Sequence, residues 1–121
     1  MHPKSLIIIP TYNENENVER MINAVLELSI NFHLLFIDDN SPDGTAKLIE
    51  KAIEKNPDRI FLENRTGKLG LGTAYILGFK WAIANKYDFI FEMDCDFSHN
   101  PKDLIRLHES LRAGFDWVIG S

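Results

Sequence analysis

The stretch Leu6-Ile7-Ile8-Ile9-Pro10 is wholly apolar until proline stops it, and Leu34-Leu35-Phe36-Ile37 repeats the pattern before Asp38-Asp39. A run without alternation leaves no face for water, so each reads as a strand covered on both sides, as in a parallel sheet. Between them Val18, Met21, Ile22, Val25 and Leu28 recur at helical spacing. Further on, Leu48, Ile49, Ala52 and Ile53 predict a second helix, capped by Ser41 or Asp43. Residues 60–62 read as a third strand, and a glycine-rich turn leads into a helix over residues 71–85. Residues 89–93 form the fourth strand. Asn100-Pro101 is an N-cap followed by proline at the first helical position, with Leu104, Leu107, His108 and Leu111 as the stripe and Gly114 as the stop. Repeated β-α-β units of this kind imply an α/β, Rossmann-like and mainly parallel sheet, whose ligands gather at the carboxyl ends of the strands. A last apolar run, residues 117–119, meets Gly120-Ser121, and a strand with nothing after it predicts a chain truncated at its C-terminus.

With 121 residues, the chain is long enough for one core and too short for two ordinary domains. A net charge of −5 argues against a general nucleic-acid binder, because affinity for phosphate backbones rests on clustered Lys and Arg. An anionic ligand must then be held by local donors or a metal. Cys95 has no second cysteine to pair with, and the N-terminus does not resemble a signal peptide, which predicts a reducing, cytoplasmic setting. No apolar run approaches the roughly 20 residues that span a bilayer.

The chemistry concentrates at predicted strand ends. In an extended chain Asp94 and Asp96 lie on one side and Cys95 on the other, so two carboxylates share one spot. Such a pair repels itself unless a proton or cation intervenes, and hard oxygen ligands favour Mg²⁺ or Mn²⁺ carrying a diphosphate; a solvated strand end before a helix cap is the plain alternative. A lone thiol makes no zinc site, which argues against Cys95 as a metal ligand. At the first strand end, Tyr12 is placed to stack on a nucleobase and Glu14 to accept hydrogen bonds from base or ribose, unless Pro10 merely breaks the strand and Asn13 or Asn15 caps the helix. Asp38-Asp39 is a second acidic pair, one carboxylate for a base or ribose and its neighbour for ordering the loop. The segment from Arg65 to Ala74 has neither G-x-x-x-x-G-K-[ST] order nor G-x-G-x-x-G spacing. Lys68 near a helix N-terminus is open to two readings, a phosphate contact or an exposed surface lysine. Tyr75, Phe79 and Trp81 read as packing residues, and His99 and His108 as a loop and a helix-face residue.

Together, Pro10-Thr11-Tyr12-Asn13-Glu14, Asp38-Asp39-Asn40-Ser41-Pro42-Asp43-Gly44-Thr45, Lys68-Leu69-Gly70-Leu71-Gly72-Thr73-Ala74 and Asp94-Cys95-Asp96-Phe97-Ser98-His99 resemble family 2 glycosyltransferases, most closely the polyprenol- or dolichol-phosphate mannose synthase branch. The resemblance covers almost the whole chain and implies a GT-A fold, with residues 1–121 as the N-terminal nucleotide-sugar-binding part. It implies Pro10, Tyr12, Glu14, Ile37 and Asp39 in the nucleotide pocket, joined by Lys68, Cys95 and Asp96 on the substrate side. Asp94 and Asp96 take the catalytic and metal positions, with Ser98 as a further metal ligand. Cys95 replaces the commoner alanine. The implied reaction moves a hexose, mannose from GDP-mannose first and a UDP-sugar as the alternative, to a polyprenyl phosphate with inversion. Implied partners are the nucleotide sugar, the lipid phosphate and a membrane surface on its cytoplasmic side. The acceptor-side residues of the family are expected beyond Ser121, so the chain alone is expected to bind donor poorly and to transfer little.

Two other classes share single features. Asp94-x-Asp96-x-Ser98 approximates the nucleophile motif of haloacid dehalogenase phosphatases, but that motif follows an early strand. A non-catalytic receiver domain has the right length and an acidic pair, but places the pair after its first strand.

Overall fold

The computed structural model describes residues 4–66, 70–96 and 100–112. Strands and helices alternate as β1 (Ser5–Thr11), α1 (Val18–Leu26), β2 (His33–Asp38), α2 (Thr45–Lys55), β3 (Ile60–Asn64), α3 (Leu71–Ala84), β4 (Phe89–Glu92) and α4 (Asp103–Arg112). Among the described residues the sheet order is β3-β2-β1-β4, and every pairing is parallel. The alternating side chains of β1 explain the layers. Ile7 and Ile9 enter one core with Val18, Met21, Ile49, Phe36 and Leu104, whereas Leu6 and Ile8 enter another with Leu35, Ile37, Ala74 and Ala82. Helices α1, α2 and α4 thus cover one face and α3 the other. Right-handed crossovers put α1 and α2 on one face and α3 on the other once the chain reverses direction, outward through β2 and β3 and then back to β4 beside β1. The reversal puts a topological switch point between β1 and β4.

Pro10 does not break β1. The strand runs through it, with Pro10 opposite Ile37 and Thr11 opposite Asp38 on β2. Ile8 O faces β4, where it accepts from Met93 N at 3.1 Å, so the N–H that Pro10 lacks also belongs on that side. The β4 ladder has already ended at Ile8 opposite Glu92, and no partner is lost. Other boundaries move by a residue or two. Leu28 lies beyond α1, β3 is longer than residues 60–62, and β4 stops at Glu92 rather than Met93. At α4 the Asn100 side chain accepts from Lys102 N at 3.0 Å, as a cap should, and the helix proper starts at Asp103. His108, on the apolar stripe of α4, is buried, 3.0 Å from Ser5 Oγ and among the rings of Phe32, Phe89 and Phe91. Gly114 and the run at residues 117–119 lie outside the described residues.

Candidate active site

Beyond the last β1–β4 rung, the separation of the two strands opens a cleft of about 340 Å³. Pro10, Thr11, Tyr12 and Glu14 from the end of β1, Asp39 from β2, Gly70, Leu71 and Ala74 from the start of α3, and Asp94, Cys95 and Asp96 after β4 line it.

The first two loops brace each other. Asn13 N donates to Ser41 Oγ at 2.9 Å, Glu14 N to Thr45 Oγ1 at 2.9 Å, and Asn15 N to Asp43 Oδ2 at 3.1 Å. Asn13 and Asn15 therefore cross-link loops; the residue before α1 is Asn17, whose side chain makes no cap. The residue before α2 is Gly44, where a φ of 90° suits glycine, while the Asp43 side chain accepts from Thr45 N, the first donor of the helix, at 3.0 Å. Burial raises the Asp43 carboxyl, but hydrogen bonds from Thr45 and Asn15 outweigh this and hold it below the ordinary carboxylate range.

The acidic pair after β2 divides its work. Asp38 is buried and accepts from Thr11 Oγ1 at 2.7 Å, Ser41 N at 2.9 Å and Ser41 Oγ at 2.7 Å, so it orders the loop. Asp39 lines the cleft and is gripped by Arg65 from the end of β3, with Arg65 Nη2 donating to Oδ2 at 2.8 Å. The same guanidinium donates to Thr73 Oγ1 at 2.7 Å and Gly70 O at 3.0 Å, joining Asp39 to the start of α3.

On the opposite wall, β4 has ended and Cys95-Asp96 form a turn. Alternation still persists through Cys95, which is buried with Phe91 and Met93, while Asp94 turns toward α3 and accepts from Tyr75 Oη at 3.1 Å. Burial, then the charges of Asp94, Glu92 and Asp96, push the Tyr75 hydroxyl well above its ordinary range, so it stays a protonated donor. Glu92 is raised by burial and by Asp94. The Cys95 thiol is pushed up to about 12 by burial, Glu14 and Asp96. Among the described residues no three His, Cys, Asp or Glu groups gather to hold an ion by themselves. Asp94 and Asp96 beside an open cleft still fit Mg²⁺ or Mn²⁺, which bind through one or two carboxylates plus substrate phosphates.

Pro10, Tyr12, Glu14, Asp39, Asp94, Cys95 and Asp96 are thus brought together from distant parts of the sequence. Ile37 is not; it is fully buried against Leu6, Ile8 and Ala74 beneath the cleft. Lys68 and Ser98 lie outside the described residues. Arg65 and the Tyr75 hydroxyl were missed by sequence reasoning. A cation directly after a strand, facing an acidic strand end, was a signal for Arg65; helical periodicity contains none for a hydroxyl at the end of a packed ring.

An acidic cleft at the switch point of a doubly wound sheet defines an α/β protein with its ligand site at the carboxyl ends of the strands. The chain belongs to Glycosyl transferase family 2, whose profile matches residues 6–121. It is 44% identical over 118 residues to the polyprenol monophosphomannose synthase of Mycolicibacterium smegmatis, covering 98% of this chain and 44% of that protein. It is 42% identical over 116 residues to the undecaprenyl-phosphate mannosyltransferase of Micrococcus luteus, covering 96% and 47%. The chain therefore spans about half the length of these relatives. Among solved structures, mannosyltransferase PcManGT from Pyrobaculum calidifontis, in complex with GDP-Man and Mn²⁺, superposes with a TM-score of 0.62 at 26% identity, over 68% of this chain and 25% of that one. The fold is GT-A, as the motifs implied. Family membership sets aside the phosphatase and receiver readings.

Proposed function

We propose that this chain is the donor-binding part of an inverting glycosyltransferase that moves mannose from GDP-mannose to a polyprenyl phosphate. The observation that carries the reading is the cleft, in which Tyr12, Glu14 and Asp39 face Asp94 and Asp96. That is a nucleoside end and a diphosphate end within one cavity. The names of the relatives, polyprenol monophosphomannose synthase and undecaprenyl-phosphate mannosyltransferase, support the sugar and the acceptor. The GDP-Man and Mn²⁺ of the solved neighbour support donor and ion.

Tyr12 stacks on the base, Glu14 and Asp39 accept from base or ribose, and Asp94 and Asp96, joined by Ser98, would hold the ion. A divalent cation, Mn²⁺ or Mg²⁺, supplies Lewis-acid neutralisation of the charge that grows on the departing nucleoside diphosphate. Lys68, two residues before Gly70 of the cleft wall in sequence, adds a phosphate contact. The acceptor phosphate is already ionised near neutral pH, so the reaction does not call for the strong general base that a sugar hydroxyl needs. Acceptor-side groups come from outside residues 1–121, and the intact protein works at the cytoplasmic surface of a membrane. Among the described residues no helix is long and apolar enough to cross one.

Calorimetric titration of GDP-mannose, UDP-glucose and GDP, each with and without Mn²⁺, tests the donor. The expected result is binding of the guanosine donor that strengthens with Mn²⁺. Preference for UDP-glucose would replace the mannosyl reading with another family 2 transferase. A radiolabelled transfer assay to polyprenyl phosphate, on this chain and on a longer protein of the same N-terminal sequence, tests the acceptor side, with turnover expected only from the longer one.

A further inference from the structure

We propose that Tyr75 is a positioning residue for Asp94: its hydroxyl engages Oδ1 and so commits the other carboxylate oxygen, Oδ2, to the cleft. The proposal rests on the reading of Asp94 as a metal ligand.

The argument begins with the closeness of α3 to the sheet. Ala74, Gly78 and Ala82, spaced four apart, are its buried residues. A Cβ on Gly78 would stand 2.6 Å from Ile8 Cγ2 and 2.8 Å from Ile8 Cδ1, so the helix lies against β1 at a distance only hydrogen permits. Ala74, one turn before Gly78, forms part of the cleft wall. The next residue, Tyr75, packs its ring against the α3-side core, half-buried, and its hydroxyl emerges past the end of β4, 3.1 Å from Asp94 Oδ1. Asp94 itself lines the cavity, and with Oδ1 taken by the phenol the proposal leaves Oδ2 for a ligand there.

The choice of a phenol has a chemical reason. Glu92 and Asp96 also act on this hydroxyl, so Asp94 sits among like charges. A neutral donor fixes the Asp94 rotamer without bringing a positive charge that would compete with a cation for the same carboxylate. A free carboxylate would instead have to be ordered by the ion itself, at a cost in affinity.

The experiment is a titration of the full chain with Mn²⁺ in the presence of GDP, read by the electron paramagnetic resonance of free Mn²⁺, alongside GDP binding without metal. Tyr75→Phe keeps the ring and removes the hydroxyl. About ten-fold weaker Mn²⁺ binding with metal-free GDP affinity unchanged is the expected result. Asp94→Asn separates the proposal from the reading beneath it. Loss of Mn²⁺ affinity in Asp94→Asn with parental affinity in Tyr75→Phe would overturn the positioning role alone. Parental affinity in both would overturn the metal assignment and this proposal with it. An equal loss of metal-dependent and metal-free binding in Tyr75→Phe would reduce Tyr75 to a packing residue.

Discussion

Arg65 holds Asp39 by both carboxylate oxygens, Nε 2.5 Å from Oδ1 and Nη2 2.8 Å from Oδ2, with the side chains only 7% and 11% exposed. A side-on bidentate pair fixes the plane of the carboxylate, so Asp39 is held in one orientation at the cleft wall. Because the pair is buried, its worth lies in being complete.

Arg65→Met strands the Asp39 charge and is expected to destabilise the chain by about 3–5 kcal/mol, the range for breaking a buried pair from one side. Adding Asp39→Leu removes the stranded charge, and the double variant should regain much of that stability while binding GDP more weakly than the parent. Urea unfolding and GDP titration of the single and double variants check this; an unrecovered double variant would show that Arg65 acts through Thr73 and Gly70 instead.

Asp94→Asn and Asp96→Asn should each remove the Mn²⁺-dependent part of donor binding and leave the far-ultraviolet circular dichroism of the parent. Each substitution withdraws one hard anionic oxygen from the diphosphate end of the cleft. Calorimetry with and without Mn²⁺ is the measurement, and metal-dependent affinity that survives in both would reject the assignment.

Gly78→Ala should cost about 1–3 kcal/mol, because its Cβ would meet Ile8 side-chain atoms at 2.6–3.0 Å. Ile8→Val removes Cδ1 while keeping Cγ1 and Cγ2, so the double variant should recover part of the loss. Thermal unfolding of the pair decides; full additivity would mean that α3 relaxes away from β1 without strain.

Asp43 makes the brace between the first two loops sensitive to acid. Its folded carboxyl lies below the ordinary value of 3.8, so its contribution is fully present above that unfolded value and is lost as pH falls through the lower folded one. Asp43→Asn should be less stable than the parent near neutrality, and the two unfolding midpoints should converge as pH drops below about 4. Donor affinity should fall less in Asp43→Ala than in Asp39→Ala, where a charge-assisted contact of roughly 1.5–3 kcal/mol is removed. Stability measured from pH 3 to pH 7 checks the first statement and calorimetry the second; a gap that widens in acid would contradict the sign.

The sequence alone determined the alternation of strands and helices, the parallel sheet and the carboxyl-end position of Asp38-Asp39 and Asp94-Cys95-Asp96, because burial on both faces and helical periodicity are local patterns written in residue order. The resemblance placed Asp39 in the pocket, but only the tertiary structure decided which partners hold the two acids after β2. Asp38 turns to Thr11 and Ser41 while Asp39 turns to Arg65, a choice set by partners 26 or 27 residues away for Thr11 and Arg65. Ile37 went to the core because it follows Leu35 on the α3 face, and the packing of that face could not be read from β2 by itself. Pro10 stays inside a central strand because β4 ends one rung too early to need its N–H, a fact of register between segments some 80 residues apart. Tyr75 reaches Asp94 because Gly78 lets α3 settle on Ile8, and such a distance exists only once the helix and the sheet have met.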